Sequence, residues 1–289
     1  MSAFSYKVVA GFFEHDSEPE GPEFRAKTLP SLGLISQTYE TDRVFDPQYQ
    51  KTQWERFIHF VDYLNKADQG KAVYKLVYVI RHGEGFHNVK EKQVGRHQWE
   101  DKWARLDGDG EMSWADAKLT DTGVEQAKAL DIFWQGRIES IAPPQQHYTS
   151  PLTRCLQTTS YAYKSFTAWT GQPLRPIIRE GLRERMGVHT CDRRSTRTWI
   201  KSKYPTFHVG REVTETDQLW KPDQRETMRQ VEGRVQQVLD GIFSNDNSTV
   251  ISITAHSGLI RALYTVIGHR EVWVQAGAMV PILIRARKV

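Results

Sequence analysis

The sequence contains only two cysteines, Cys155 and Cys191, and neither sits in a C-x-x-C pair or in a Cys/His spacing of the kind a zinc site uses. A disulfide framework is therefore excluded as the source of stability, and a reducing compartment is expected. No apolar run approaches the ~18 residues that span a bilayer. The stretch from Met1 to Gly11 lacks the basic and then apolar order of a secretory leader. These absences predict a soluble intracellular protein, cytoplasmic or also nuclear. Repeats, low-complexity tracts and an evident linker are lacking as well, so one structural domain with insertions is the economical organisation. Charge of one sign is not concentrated either: 39 basic against 35 acidic residues give a net charge of +4, with no basic stripe of the kind nucleic-acid binders carry. What remains is a chain of 289 residues, 39% hydrophobic, long enough to bury a large core. Its mild basic excess suits an enzyme of anionic substrates.

Residues 11–47 mix Pro, Gly, acids and scattered apolar residues without period, which reads as an extended arm wrapped on the surface. The pattern turns helical from Asp46. Trp54, Phe57, Ile58, Val61 and Leu64 share one face of a helix ending near Gly70. Val73–Ile80 is nearly continuous in apolar character, as in a strand covered on both faces, and it runs into Arg81-His82-Gly83. Gln146–Thr149 reads as a second strand, followed by Ser150-Pro151 as a helix cap and first turn. Thr249–Thr254 reads as a third, followed by Ala255-His256-Ser257-Gly258 and a helix over Leu259–Ile267. Three times a strand ends in a polar cluster and a helix begins, the layout of an α/β sheet that binds ligands at the carboxyl ends of its strands. Insertions are expected near 89–115 and 187–222. Residues 1–72 are expected to form an arm and helix packed on a core of 73–289.

The first cluster is Arg81-His82-Gly83-Glu84-Gly85-Phe86-His87-Asn88. A neutral imidazole offers one ring nitrogen with a free lone pair, so a histidine fixed on a tight turn is a competent nucleophile. Gly83 lets backbone approach a phosphate, and the planar fork of Arg81 matches two phosphoryl oxygens. By itself the triplet is equally a hydrogen-bonded structural histidine. Further along, Asp116-x-x-Leu119-Thr120-x-x-Gly123-x-x-Gln126-Ala127 opens a helix, with Thr122 and Glu125 spaced as a capping box and Val124, Ala127 and Leu130 on its buried side. Arg154, in Ser150-Pro151-Leu152-x-Arg154-Cys155-x-Gln157-Thr158, falls in the first turn of a helix. There its charge and the free helix N–H groups could face one anion, unless it is a surface arginine. His256 mirrors His82. Together, two histidines and two arginines at strand ends make a pocket for a phosphoryl group, in which one imidazole attacks and the other groups hold charge.

R-H-G-E-x-x-x-N, D-x-x-L-T-x-x-G-x-x-Q-A, S-P-L-x-R-C-x-Q-T and A-H-S-G, in this order over residues 73–270, resemble the phosphoglycerate-mutase-like branch of the histidine phosphatase superfamily. The arm, the W-E-R-F-I-H-F-V-D-Y-L-N helix and the R-x-G-V-H-T-C-D-R-R-S segment are similar more narrowly to fungal phosphomutase-like phosphatases. The resemblance implies a three-layer α/β/α fold with a mostly parallel central sheet, an N-terminal arm and cap insertions. It implies His82 as nucleophile, with Arg81, Arg154 and His256 as phosphate pocket. Asn88 and Glu84 are added as substrate-side residues of the first motif. The family's proton donor, a glutamate in a leucine-x-glutamate context, maps to Glu184 in Leu182-Arg183-Glu184, with Glu180 as competitor. Either must be protonated to donate to a leaving alkoxide. His82 must be neutral to attack and His256 is expected to work protonated, so activity should fall at both pH extremes.

The expected partner is a small phosphorylated metabolite, with no metal, no cofactor, no nucleic acid and no membrane. Departure from the mutase pattern after Asn88, where Lys90-Glu91-Lys92-Gln93 and a Trp-rich stretch follow, favours hydrolysis over phosphoryl transfer. A mutase and a catalytically inactive binding protein are the alternatives. Between Arg175 and Arg197 lie seven arginines, which form either a second anion site or a solvated loop.

Overall fold

A short run of unbroken apolar character suits a strand covered on both faces, and residues 76–80 and 279–284 supply two of them side by side. The computed structural model describes residues 3–17, 24–68, 70–137 and 140–289. The strands are β1 (Phe4–Val8), β2 (Ala72–Arg81), β3 (Gln146–Thr149), β4 (Ile177–Ile178), β5 (His208–Val209), β6 (Val250–Ala255) and β7 (Met279–Lys288). They make one seven-stranded sheet in the order β1-β7-β2-β6-β3-β4-β5. β7 is antiparallel to both β1 and β2, while the pairs from β2 through β5 are all parallel. The helices are α1 (Asp42–Phe45), α2 (Gln53–Ala67), α3 (Phe86–Val94), α4 (Arg96–Asp101), α5 (Asp121–Gln135), α6 (Thr153–Ala162), α7 (Phe166–Thr170), α8 (Arg197–Lys203), α9 (Met228–Asn245) and α10 (Ser257–Val266). Among the described residues no helix is long and apolar enough to cross a membrane.

The period-2 alternation of β2 divides the core into two layers. Val77 and Val79 face α9 and α10 through Val231, Leu239, Ile242, Leu259 and Leu263. Leu76, Tyr78 and Ile80 face α2, α5 and α7 through Trp54, Phe57, Val61, Leu130, Trp134 and Phe166. This is the expected three-layer arrangement with a mostly parallel sheet.

Several local expectations are corrected. The 11–47 arm is no surface wrap, since Phe13, Leu32, Leu34 and Tyr39 are buried beside α2, and ahead of it β1 joins the sheet. Its residues 18–23 lie outside the described residues. Residues 46–51 form a turn held by the Asp46 carboxylate, and α2 starts only after the Thr52–Glu55 capping box. α5 is capped by Thr120, which accepts from Gly123 N at 3.1 Å, not by Thr122. α6 starts at Thr153, because Ser150 is drawn instead toward His256. β7 went unread because Pro281 interrupts it, and a proline argues against a central strand. Its missing N–H costs no ladder bond on the outer side, since β1 pairing stops at Val8↔Ile284.

The insertions are ordered. Trp99, Ala104 and Trp114 from the first, with Ala117 just after it, pack with Cys191 from the second. One buried carboxylate ties them to the core. Asp116, at φ +43°, accepts from Thr153 N and Oγ1 (2.9 and 2.8 Å) and from Ser195 N and Oγ (2.9 and 2.6 Å). Asp116→Ala leaves all four donors without their carboxylate, at about 3 kcal/mol for hydrogen bonds to a buried charge. Urea unfolding should show a free energy of unfolding lower by that amount; a loss under about 1 kcal/mol would remove Asp116 from this role.

Candidate active site

β2, β6 and β3 are neighbours in the sheet, so the residues that follow them converge at one edge. His82 follows β2, His256 caps α10 after β6, and Arg154 lies in the first turn of α6 after β3. His82 Nδ1 is 2.7 Å from the Gly83 carbonyl. A carbonyl only accepts, so Nδ1 carries the proton and Nε2 keeps its lone pair. Arg154 Nε donates to that Nε2 and to His256 Nδ1, at 3.2 Å each. His256 Nε2 then donates to Ser150 Oγ at 2.8 Å. The other guanidinium nitrogens of Arg154 reach the Cys191 carbonyl (2.6 Å) and Asp192 Oδ1 (2.8 Å), so the second insertion holds the arginine from behind.

A cavity of about 320 Å³ opens over this cluster, lined by Arg81, His82, Asn88, Arg154 and Glu184 among others. Arg81 donates to the Val274 carbonyl at 2.9 Å, and its buried Nε has no partner. Glu184 Oε2 accepts from Gly258 N at 2.9 Å and Ser257 Oγ at 3.4 Å, and Oε1 from Arg185 N at 2.9 Å. This contact explains the glycine of A-H-S-G: a Cβ on Gly258 would lie 2.2 Å from Glu184 Oε1. Gly83 is fixed in the same way, since its Cβ would meet the Gly123 carbonyl at 2.3 Å.

Five of the seven expected residues line the cavity and two do not. Glu84 turns away, accepting from Thr120 Oγ1 at 2.8 Å, so its place as a phosphate contact is corrected. His256 is fully buried behind Arg154 and reaches the cavity only through that guanidinium. Asn88 lines the wall while its Oδ1 accepts from Gly85 N at 3.0 Å. The competitor Glu180 is buried away from the cavity, paired with Arg183 and Arg194. Apart from Arg175, which is exposed, the arginines of the 175–197 segment are held by partners within the protein. Arg183 and Arg194 clamp Glu180 and the segment around Asp217, Arg197 donates to loop carbonyls, Arg193 pairs with Asp107, and only Arg185 reaches the cavity. Sequence reasoning missed His87, whose ring centroid is 5.5 Å from that of His82, along with the far wall made by Arg96, Trp99, Arg225 and Arg261. Of these, only His87 carried a signal, its place in the first motif.

Burial is the main electrostatic influence. It pushes His82, His87 and His256 well below the usual histidine range, and the Arg154 charge adds to the push. His256 is thus neutral here, which corrects the expectation of a protonated partner. At Asp192 burial pulls upward, but Arg225, Arg154 and His189 outweigh it and hold the carboxyl below its usual range.

This geometry defines a class: a histidine whose unprotonated Nε2 faces an arginine at the ends of parallel strands, an arrangement able to hold a phosphoryl group. The family model described as histidine phosphatase superfamily (branch 1) matches residues 103–273. A probable phosphoglycerate mutase of Arthroderma benhamiae is 43% identical over 286 residues, covering 99% of this chain and 85% of that protein. A probable phosphoglycerate mutase of Saccharomyces cerevisiae is 30% identical over 234 residues, covering 73% of this chain and 78% of its own. Among solved structures, a phosphoglycerate mutase of Bacillus anthracis aligns at a TM-score of 0.47 and 20% identity, over 74% of this chain and 90% of that one. The chain belongs to the histidine phosphatase superfamily. The family match takes in Arg154, Glu184 and His256, while His82 precedes it and is covered by the Arthroderma relative.

Stability should depend steeply on acid. His82, His87 and His256 in the site, His147 (lowered to about 3) and His15 (lowered to about 4) are all depressed by burial. The unfolded chain binds protons on them below about pH 6.5 and the folded chain does not, so stability is lost as pH falls through that value. Each contributes up to ~1.4 kcal/mol per pH unit. Unfolding near pH 5.5 should take up several protons, measured by urea melts across pH, and His147→Gln should remove about one. Uptake of fewer than one proton would contradict the neutral assignment.

Proposed function

We propose that the protein is a phosphatase acting on a small phosphorylated metabolite through a phosphohistidine on His82. The observation that carries this is the fixed tautomer: Nδ1 is held by the Gly83 carbonyl and Nε2 points at Arg154 inside a cavity lined by arginines. In the first step Nε2 attacks phosphorus while the bond to the leaving oxygen breaks and Glu184 gives that oxygen a proton. In the second, water attacks the phosphohistidine and loses its proton to Glu184, regenerating His82. Arg81 and Arg154 carry the charge of the phosphoryl oxygens, work that a metal does in other phosphoryl-transfer sites. His256 acts on Arg154 as a positioning residue.

The receiver of the phosphoryl group decides between hydrolysis and transfer. Hydrolysis is supported by the departure from the mutase pattern after Asn88, where Lys90 is taken up by Asp109 at 2.6 Å and stacks on Trp103. The second reading, a phosphomutase, is favoured by the names of the Arthroderma and Saccharomyces relatives. Incubation with a panel of phosphomonoesters, without added metal, separates the two by free phosphate against isomer. Release of phosphate, abolished in His82→Ala together with an acid-labile phosphoenzyme, is expected. Isomer with little free phosphate would sink hydrolysis, and full activity in His82→Ala would sink the mechanism.

Gly258→Ala tests the acid. The new Cβ displaces the Glu184 carboxylate without touching His82. On alkyl phosphates kcat should fall by about tenfold or more, since acid catalysis contributes typically 10²–10⁴-fold. An aryl phosphate, whose leaving group needs no proton, should lose much less. Equal losses on both would reject Glu184 as the donor.

A further inference from the structure

We infer that His15, Asp16 and His269 form a binding site for one divalent transition-metal ion of the zinc class, tying the N-terminal segment to the loop after α10. The three side chains are 6%, 2% and 1% exposed, and their candidate ligand atoms lie within 4.8 Å of one another. None of them lines the catalytic cavity, so the inference does not rest on the proposed reaction.

The donor set is prepared in the manner of a metal site. Asp16 Oδ2 accepts three backbone N–H groups, from Gly11, Phe12 and Phe13, at 2.9–3.0 Å, which leaves Oδ1 facing the histidines. His269 Nδ1 is 2.7 Å from the Arg270 carbonyl and therefore carries its proton. His15 has the Pro281 carbonyl as backbone partner, and its buried Nε2 has none. Carbonyls that fix the tautomer and aim Nε2 inward are the usual outer support of metal-bound histidines. An imidazolium at His269 would account for its Nε2 lying 3.0 Å from Asp16 Oδ1. It would still leave the His15 Nε2, 4.0 Å from the same oxygen, unpartnered. One divalent ion satisfies all three atoms. Two imidazoles and a carboxylate suit zinc, with ligand distances near 2.0–2.2 Å, so the cluster closes on it with shifts of about an ångström. Arg270, the neighbouring cation, is engaged with the His15 carbonyl at 2.6 Å.

Access is available from either side. His269 lines a cavity of about 200 Å³ and His15 another of about 590 Å³. The other cluster of candidate ligands among the described residues, His189, Cys191 and Asp192, has its donors engaged: both Asp192 oxygens hold arginines, and His189 Nε2 meets Glu100 at 2.9 Å.

The test uses the full chain stripped with EDTA and titrated with Zn²⁺, with bound metal counted by mass spectrometry and Co²⁺ as spectroscopic probe. About one equivalent should bind and raise the thermal midpoint, and the cobalt spectrum should show nitrogen and oxygen ligation without a thiolate band. His15→Ala, His269→Gln and Asp16→Asn should each weaken binding by about tenfold or more. His15→Ala keeps the Asp16–His269 pair and so guards against misfolding. Absence of binding, binding unchanged in His15→Ala, or binding with a thiolate band that is lost in Cys191→Ser would each overturn the inference.

Discussion

Everything at the active site leans on a single guanidinium. Arg154 has one N–H shared between two imidazoles and its remaining nitrogens fixed by the Cys191 carbonyl and the Asp192 carboxylate. Burying that charge in low dielectric would be costly without Asp192, and burying Asp192 would be costly without Arg154 and Arg225. The pair joins the strand-end core to the second insertion. The Arg154 charge also adds to the burial that holds both histidines well below the usual histidine range. The proposed nucleophile therefore needs no base to deprotonate it.

The same logic repeats one shell out. Arg183, with no exposed surface, joins Glu180, Asp217 and the Asp192 carbonyl, and Arg194 completes the network. Arg183 stands immediately before Glu184, so these ion pairs anchor the backbone that carries that carboxylate. Breaking one member of such a network strands its partner, so its members are more interdependent than neighbours in the aliphatic core.

The parts of the fold legible in the sequence were those with a local cause. Val73–Ile80, Gln146–Thr149 and Thr249–Thr254 announce themselves as strands within a residue of their ends, and the apolar spacing of Trp54, Phe57 and Val61 gives α2. His82, Arg81, Arg154 and Glu184 were found because they follow those strands or sit in recognisable motifs. What stayed hidden has non-local causes. β4 and β5 are two residues long and exist only through their neighbours in the sheet, β4 paired with β3 and β5 with β4. Pro281 disguised β7. Which arginines of the 175–197 segment face the cavity depends on acids up to 86 residues away, such as Asp107, and no periodicity records that. Glu84 shared a motif with His82 but not its direction, because the chain turns at Gly83.

The contact between Glu184 and the first turn of α10 carries a mechanical implication. Gly258, two residues beyond His256, lets the carboxylate rest directly on the helix backbone. The proposed proton donor and the histidine that supports Arg154 thus ride on one rigid body, the β6–α10 unit, even though Glu184 belongs to a different part of the chain. The register of the proposed donor is therefore tied to the helix that follows His256, and not only to the segment of chain that carries Glu184.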